Sequence, residues 1–233
     1  MTTTHLADRL AAVERRIAAA AAECGRSQSD ITLIAVGKTF PAEIIGQAFK
    51  AGATDFGENR VQEGVAKRAA APDARWHLIG PLQRNKARAA LEVFDIVHTI
   101  DRFEIADRLQ YLLAERWPDR RLEVLLEINL AEEPQKAGAF PQDAANLLDH
   151  ALSCDSLLVR GLMAIPPWTD DPEASRPWFR QLSTLRDQLE KSTGHDLPEL
   201  SMGMSHDFEI AVVEGATMVR VGTAIFGPRS VRK

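Results

Sequence analysis

Leu6, Leu10, Val13 and Ile17 recur at spacings of four, three and four, with charged residues between them, which predicts an amphipathic helix within residues 1–25. Beyond it the pattern changes to short apolar runs separated by helical stretches. The runs are Ile31–Val36, Ala53–Phe56, Trp76–Ile79, Ile96–Ile100, Val124–Ile128, Leu158–Ile165, Leu200–Met204 and Met218–Ile225. Several are apolar over most of their length, as parallel strands buried on both faces must be. Between them, Asp101 and Glu104 have capping-box spacing ahead of Ile105, Leu109 and Leu112. Trp178, Leu182, Leu185 and Leu189 line a later helix that Gly194 can stop.

Eight strand candidates alternating with helices imply an α/β fold. A closed (β/α)8 TIM barrel fits better than an open doubly wound sheet, because the count is eight and no G-x-G-x-x-G follows the first strand. The weakest strands are Ala53–Phe56 and Leu200–Met204. No linker, repeat or low-complexity stretch divides the chain, so one domain over 1–233 is expected, with the barrel over 31–227. The first helix is extra to the eight units and is expected to cover the barrel's bottom.

A length of 233 residues suits such a barrel, typically about 250 residues. Lys and Arg number 28 against 33 Asp and Glu, a net charge of −5, which argues against a sequence-independent nucleic-acid binder. It leaves small anionic ligands open, since one local positive pocket suffices for them. Cys24 and Cys154 lie in unrelated segments and form no C-x-x-C pair, and the six histidines show no metal spacing, so no metal is expected. Charges interrupt the N-terminal apolar residues, against a signal peptide, and no stretch approaches the ~20 apolar residues of a membrane helix. A cytoplasmic monomer is expected.

In a barrel the active face lies at the C-terminal ends of the strands. The first strand ends in Val36-Gly37-Lys38-Thr39. A lysine at a strand mouth is partly desolvated, which lowers its pKa and frees the amine to attack a carbonyl; a solvated loop lysine is the plain alternative. The last strand reads Val219-Arg220-Val221-Gly222-Thr223-Ala224, where consecutive amides and a hydroxyl can cradle a phosphate. The seventh supplies Ser201 near its end and Ser205 just before a helix, the latter better explained as an N-cap. Asp55–Arg60 and Trp76–Gly80 suit loops that line a site, although His77 falls within a strand and reads as a hydrogen-bonded core histidine.

Together these stretches resemble the pyridoxal phosphate homeostasis protein family, single-domain relatives of the alanine racemase barrel. The matching segments are Ala35–Thr39, Phe56–Asn59, His77–Gly80, Leu82–Lys86, Arg160–Met163, Leu200–Ser205 and Val219–Gly227, in the same order along the chain. The resemblance implies a barrel of fold type III for pyridoxal 5′-phosphate (PLP), held as a Schiff base on Lys38. It also implies Ser201, Gly222 and Thr223 around the phosphate, Arg220 facing the pyridine nitrogen and Asn59 near the ring. One departure is Gly37, where the family leads us to expect serine. Lys136 resembles a second lysine of that family, in a loop whose neighbours differ.

The resemblance leaves two functions in competition, a PLP-dependent amino-acid racemase and a protein of PLP (vitamin B6) homeostasis that binds PLP and passes it to apo PLP-dependent enzymes. A Schiff-base aldolase using Lys38 without cofactor is a third reading. Racemisation needs a base on each face of the substrate carbon. The alanine racemase arrangement uses a tyrosine opposite the lysine and a second, β-rich domain, but the only tyrosine here is Tyr111, mid-helix, and the chain ends eight residues after Ile225. An arginine at the ring nitrogen also keeps that nitrogen unprotonated and weakens the ring as an electron sink. The carrier, with no catalytic residues, is therefore the expectation.

Overall fold

The computed structural model describes residues 3–228. Eight parallel strands close into one barrel in sequence order, with β8 hydrogen-bonded back to β1. They are β1 (Thr32–Val36), β2 (Asp55–Glu58), β3 (Arg75–Leu78), β4 (Ile96–Ile100), β5 (Leu122–Glu127), β6 (Leu157–Met163), β7 (Glu199–Met204) and β8 (Met218–Val221). The two weakest candidates are therefore strands. Helices α2 (Ala42–Lys50), α3 (Val61–Lys67), α4 (Ala87–Val93), α5 (Phe103–Arg116), α6 (Ala144–Leu152), α7 (Arg176–Thr193) and α8 (Phe208–Val213) follow strands one to seven in turn. The α7 helix ends at Gly194 in the left-handed conformation, as its position predicts.

Three expectations are corrected. The eighth apolar run does not stay extended to Ile225: the strand stops at Val221 and Thr223–Phe226 form a single turn of helix, α9. A short apolar run fits a buried helical turn as well as a strand, and here Ile225 and Phe226 are buried in the core. The N-terminal helix α1 (Thr3–Glu23) does not close the barrel's bottom but packs beside α2, α8 and α9. Because α9 is so short, α1 supplies the helix that the eighth unit lacks. It buries Leu6, Leu10, Val13 and Ile17, and Arg16 pairs with Glu209 while lying 4.5 Å from the centroid of the Phe208 ring. Lastly, Asp101 does not cap α5, whose N-cap is Arg102. The Asp101 carboxylate instead accepts from Arg102.

Two apolar layers result. A large core fills the space between strands and helices, while Ile34, Ile96, Leu125, Met163 and Met218 form a small plug inside the barrel. The rest of the interior is polar, with His77, His98, Ser201 and Arg220 all buried. Among the described residues no helix is long and apolar enough to cross a membrane.

Candidate functional site

A cavity of about 630 Å³ opens at the C-terminal ends of β1, β2, β7 and β8. Lys38 and Phe40 enter from the β1 loop, Asn59 from the end of β2, Ser205 and His206 from the β7 loop, and Arg220, Gly222 and Thr223 from β8 and the turn after it. Parallel pairing of β1 with both β2 and β8 makes these loops neighbours. Five of the six residues expected at the site thus share one cavity.

Ser201 is the sixth, and the structure separates it from the cavity. It lies within β7, fully buried, where its hydroxyl accepts from Arg220 Nη1 at 2.6 Å and meets His98 Nδ1 at 2.9 Å. Ser205 takes the wall position instead. Asp207 occupies the N-cap position of the helix after β7, so Ser205 is not its N-cap. Its Oγ accepts from the Gly222 and Ala224 amides at 3.1 and 3.4 Å. Two amides converging on one oxygen are a ready donor pair for an anion. A Cβ on Gly222 would sit 3.3 Å from Val36 O, so the glycine serves the close approach of the β8 turn to β1.

Arg220 forms the floor. Its Nη2 donates to Ala164 O at 2.9 Å, and burial lowers its pKa to about 10, which still leaves it charged at neutral pH. Glu127 at the end of β5 is buried, its Oε2 without a hydrogen-bond partner among the described residues, and desolvation, then the nearby Asp101 charge, push its pKa up to about 7. The cavity rim is aromatic and mostly unforeseen in the sequence. Trp168 packs on His206 with ring centroids 4.9 Å apart, and the buried His206 Nε2 has no hydrogen-bond partner among the described residues.

Behind Lys38 stands an ionic cluster that the sequence reading missed. Lys67 Nζ, buried on α3, donates to Glu58 Oε1 at 2.8 Å, Glu63 Oε2 at 2.9 Å and Gly37 O at 3.0 Å. Glu63 Oε2 also accepts the Thr39 amide at 2.8 Å, so the backbone is tied on both sides of Lys38. Gly37 belongs to this packing: a Cβ there would overlap Ile45 Cδ1 and lie 3.2 Å from Glu58 Oε1. Lys136 pairs with Glu133 at 2.5 Å and does not line the cavity. Tyr111 is 57% exposed on α5, away from it. Asp107, His150 and Cys154 come within 4.8 Å of one another where α5 meets α6, a grouping no sequence spacing announced.

A family model described as the alanine racemase N-terminal domain matches residues 9–230. The pyridoxal phosphate homeostasis protein of Escherichia coli strain K12 is 43% identical over 233 residues, covering 98% of each chain. That of Aquifex aeolicus is 41% identical over 224 residues, covering 95% of this chain and 97% of its own. PipY of Synechococcus elongatus PCC7942, solved with PLP bound, is similar in structure with a TM-score of 0.83 at 38% identity, covering 95% of this chain and 100% of PipY.

Proposed function

Because the chain belongs to the pyridoxal phosphate homeostasis protein family, we propose that it binds PLP covalently through Lys38 and acts as a reservoir that releases the cofactor intact. The observation that carries the reading is the single cavity shared by Lys38, Arg220 and the converging Gly222 and Ala224 amides. An amine, a fixed cation and a donor pair for an anion are the three features that an aldehyde-bearing aromatic phosphate requires, and the volume is of the size that ligand sites have. PLP supplies an aldehyde that condenses reversibly with a primary amine. Lys38 presents that amine. Thr223 and the adjacent amides bind the phosphate, with Ser205 beside them. Arg220 meets the ring nitrogen, and Asn59 and His206 face the ring. Ser201, engaged by Arg220 and His98, serves the arginine instead of the phosphate.

A reservoir is favoured over a racemase because the single tyrosine in the sequence, Tyr111, is exposed on an outer helix and cannot reach the cavity. The reading also makes the protein a cytoplasmic monomer that hands PLP to apo enzymes. Borohydride reduction of the PLP-loaded protein followed by peptide mapping should place the label on Lys38, and a label mainly on Lys136 or Lys86 would overturn the assignment. Incubation with single L-amino acids in deuterated water decides the function. Rapid exchange at the α-carbon with accumulation of the D-form, abolished by Lys38→Ala, would make the protein a racemase.

A further inference from the structure

A continuous file of hydrogen bonds runs through the barrel interior and ends on the floor of the cavity. Asp55 Oδ1, at the start of β2, lies 3.0 Å from His77 Nε2 on β3. His77 Nδ1 lies 2.9 Å from His98 Nε2 on β4, the two rings meeting edge to face. His98 Nδ1 then reaches across the barrel to Ser201 Oγ on β7 at 2.9 Å, and Ser201 receives Arg220 Nη1 at 2.6 Å. Asp55 also lines a second cavity, of about 500 Å³, beside α1 and the N-terminal ends of β1 and β2. The file therefore links a carboxylate near one end of the barrel to the guanidinium at the other.

Its direction follows from the chemistry of its ends. Arginine can only donate and an ionised carboxylate can only accept. Ser201 thus accepts from Arg220 and turns its own proton to His98 Nδ1. A neutral His98 then carries its proton on Nε2 and gives it to His77 Nδ1, and a neutral His77 carries its proton on Nε2 and gives it to Asp55. Every donor has one acceptor, and each bond dipole points the same way. The competing arrangement protonates His77 against Asp55, reverses the bond between the rings and places the His98 proton on Nδ1. It puts a second cation in a fully buried position, which desolvation opposes; burial lowers the pKa of both rings.

We propose that Asp55, His77, His98 and Ser201 form a one-way hydrogen-bond relay, both histidines neutral with the proton on Nε2, that positions the Arg220 guanidinium at the cavity floor. Asp55 is the remote end of that relay, and Ser201 is its last positioning residue. The consequence for cofactor retention rests on the reading of the cavity as a PLP site; the relay itself does not.

The test uses the protein labelled with 15N-histidine and free of PLP. Long-range 1H–15N correlation spectra between pH 6 and 8 should show His77 and His98 as neutral Nε2–H rings, assigned by comparison with His77→Gln and His98→Gln. A proton on Nδ1 of either ring, or a protonated His77, would overturn the proposal. Ser201→Ala should shift the His98 Nδ1 resonance and, in the PLP-loaded protein, speed cofactor loss about tenfold, the loss of one hydrogen bond to a charged group. Ser201→Thr should restore both. An unshifted His98 resonance in Ser201→Ala also overturns the proposal, whatever happens to PLP. Failure to take up PLP by the unsubstituted protein would refute the function while leaving the tautomers to be read.

Discussion

Lys38 and Thr223 follow neighbouring strands and face one cavity, yet the two loops are held by different means. The β1 loop is braced from behind by an ionic cluster: buried Lys67 and half-buried Glu63, both on α3, clamp Gly37 O and the Thr39 amide, and buried Glu58 completes it. The β8 turn is held by backbone and hydroxyl contacts, with Ser205 Oγ tied to two amides and Phe226 N closing the turn on Gly222 O at 2.8 Å. The covalent role proposed for Lys38 calls for a loop that does not yield, and Thr39 at φ 72°, a strained conformation for a β-branched residue, is tied down by Glu63. A phosphate needs only donors aimed at one point, which a local turn supplies at no electrostatic cost. The clamp has a penalty of its own, since the buried Glu58 Oε2 has no hydrogen-bond partner among the described residues and desolvation holds the pKa of Glu58 above the usual carboxylate range.

The sharpest way to break this contrast is Lys67→Met. It leaves the buried Glu58 and half-buried Glu63 carboxylates without the cation they share, and loss of one partner of a buried ion pair costs about 3–5 kcal/mol. Urea denaturation at pH 7 should register that loss, and the loaded protein should shed PLP faster because the Lys38 loop is released. The exposed Arg88–Glu92 pair is the control, and Arg88→Ala should cost under about 1 kcal/mol. A Lys67→Met cost as small as the control's would mean that the ions do not brace the loop.

Glu127 offers the next effect, because it is a buried carboxylate that no cation contacts directly among the described residues. Its folded pKa of about 7 lies above the ordinary value of 4.5, so the native state holds the proton more tightly than the unfolded chain does. The associated stability is fully present below pH 4.5 and is lost as pH rises through 7. Glu127→Gln removes the penalty, so at pH 8 it should gain on the order of 2–3 kcal/mol over the unsubstituted protein, with no gain at pH 4. A gain of equal size at both pH values would point to packing instead of charge.

Thr223→Val probes the other loop, and its effect should appear in binding alone. Loss of one hydroxyl donor should weaken PLP by about 1–1.5 kcal/mol, roughly tenfold, and leave pyridoxal, which has no phosphate, almost unaffected. Equal losses for both ligands would remove Thr223 from the phosphate site. A drop in thermal stability as large as that of Lys67→Met would erase the difference between the two loops.

The same contrast explains what could be read in the sequence. The β8 turn is local, so Arg220, Gly222 and Thr223 stand within four residues and announce themselves by type and spacing. The strand order was likewise legible, because each buried parallel strand is a run of apolar residues. Lys67 was not legible. It sits on a polar-looking stretch of α3, and only the packing of α3 on β2 and β3 turns it inward. Ser201 was misplaced by one layer for a related reason: alternation along β7 shows that it faces the barrel interior, but not how deep the cavity reaches or that Arg220 lies between. The His77–His98 contact joins residues of adjacent strands, and neither residue's neighbours in sequence hint at it.

Gly37, where serine is expected, gives the smallest effect and the finest test of how the β1 loop is packed. A Cβ at this position points behind the sheet, against the fully buried Ile45 Cδ1 on α2 and toward Glu58 Oε1. Because Cδ1 is the far end of a flexible side chain, the overlap is relieved by a rotamer change, and Gly37→Ser should cost about 1 kcal/mol, the low end for overpacking. Ile45→Val alone should cost about 0.5–1.5 kcal/mol for the lost methylene. Combined, the two should cost less than their sum by about 0.5 kcal/mol or more, because the valine makes the room that the serine needs. The new hydroxyl would also face the Glu58 carboxylate and can donate to it, offsetting part of the cost. Urea midpoints of the four proteins measure the coupling, and strict additivity would show that Ile45 does not decide the glycine. PLP retention should stay the same in all four, since the overlap lies between β1 and α2 while the cofactor would sit on the opposite side of the strand.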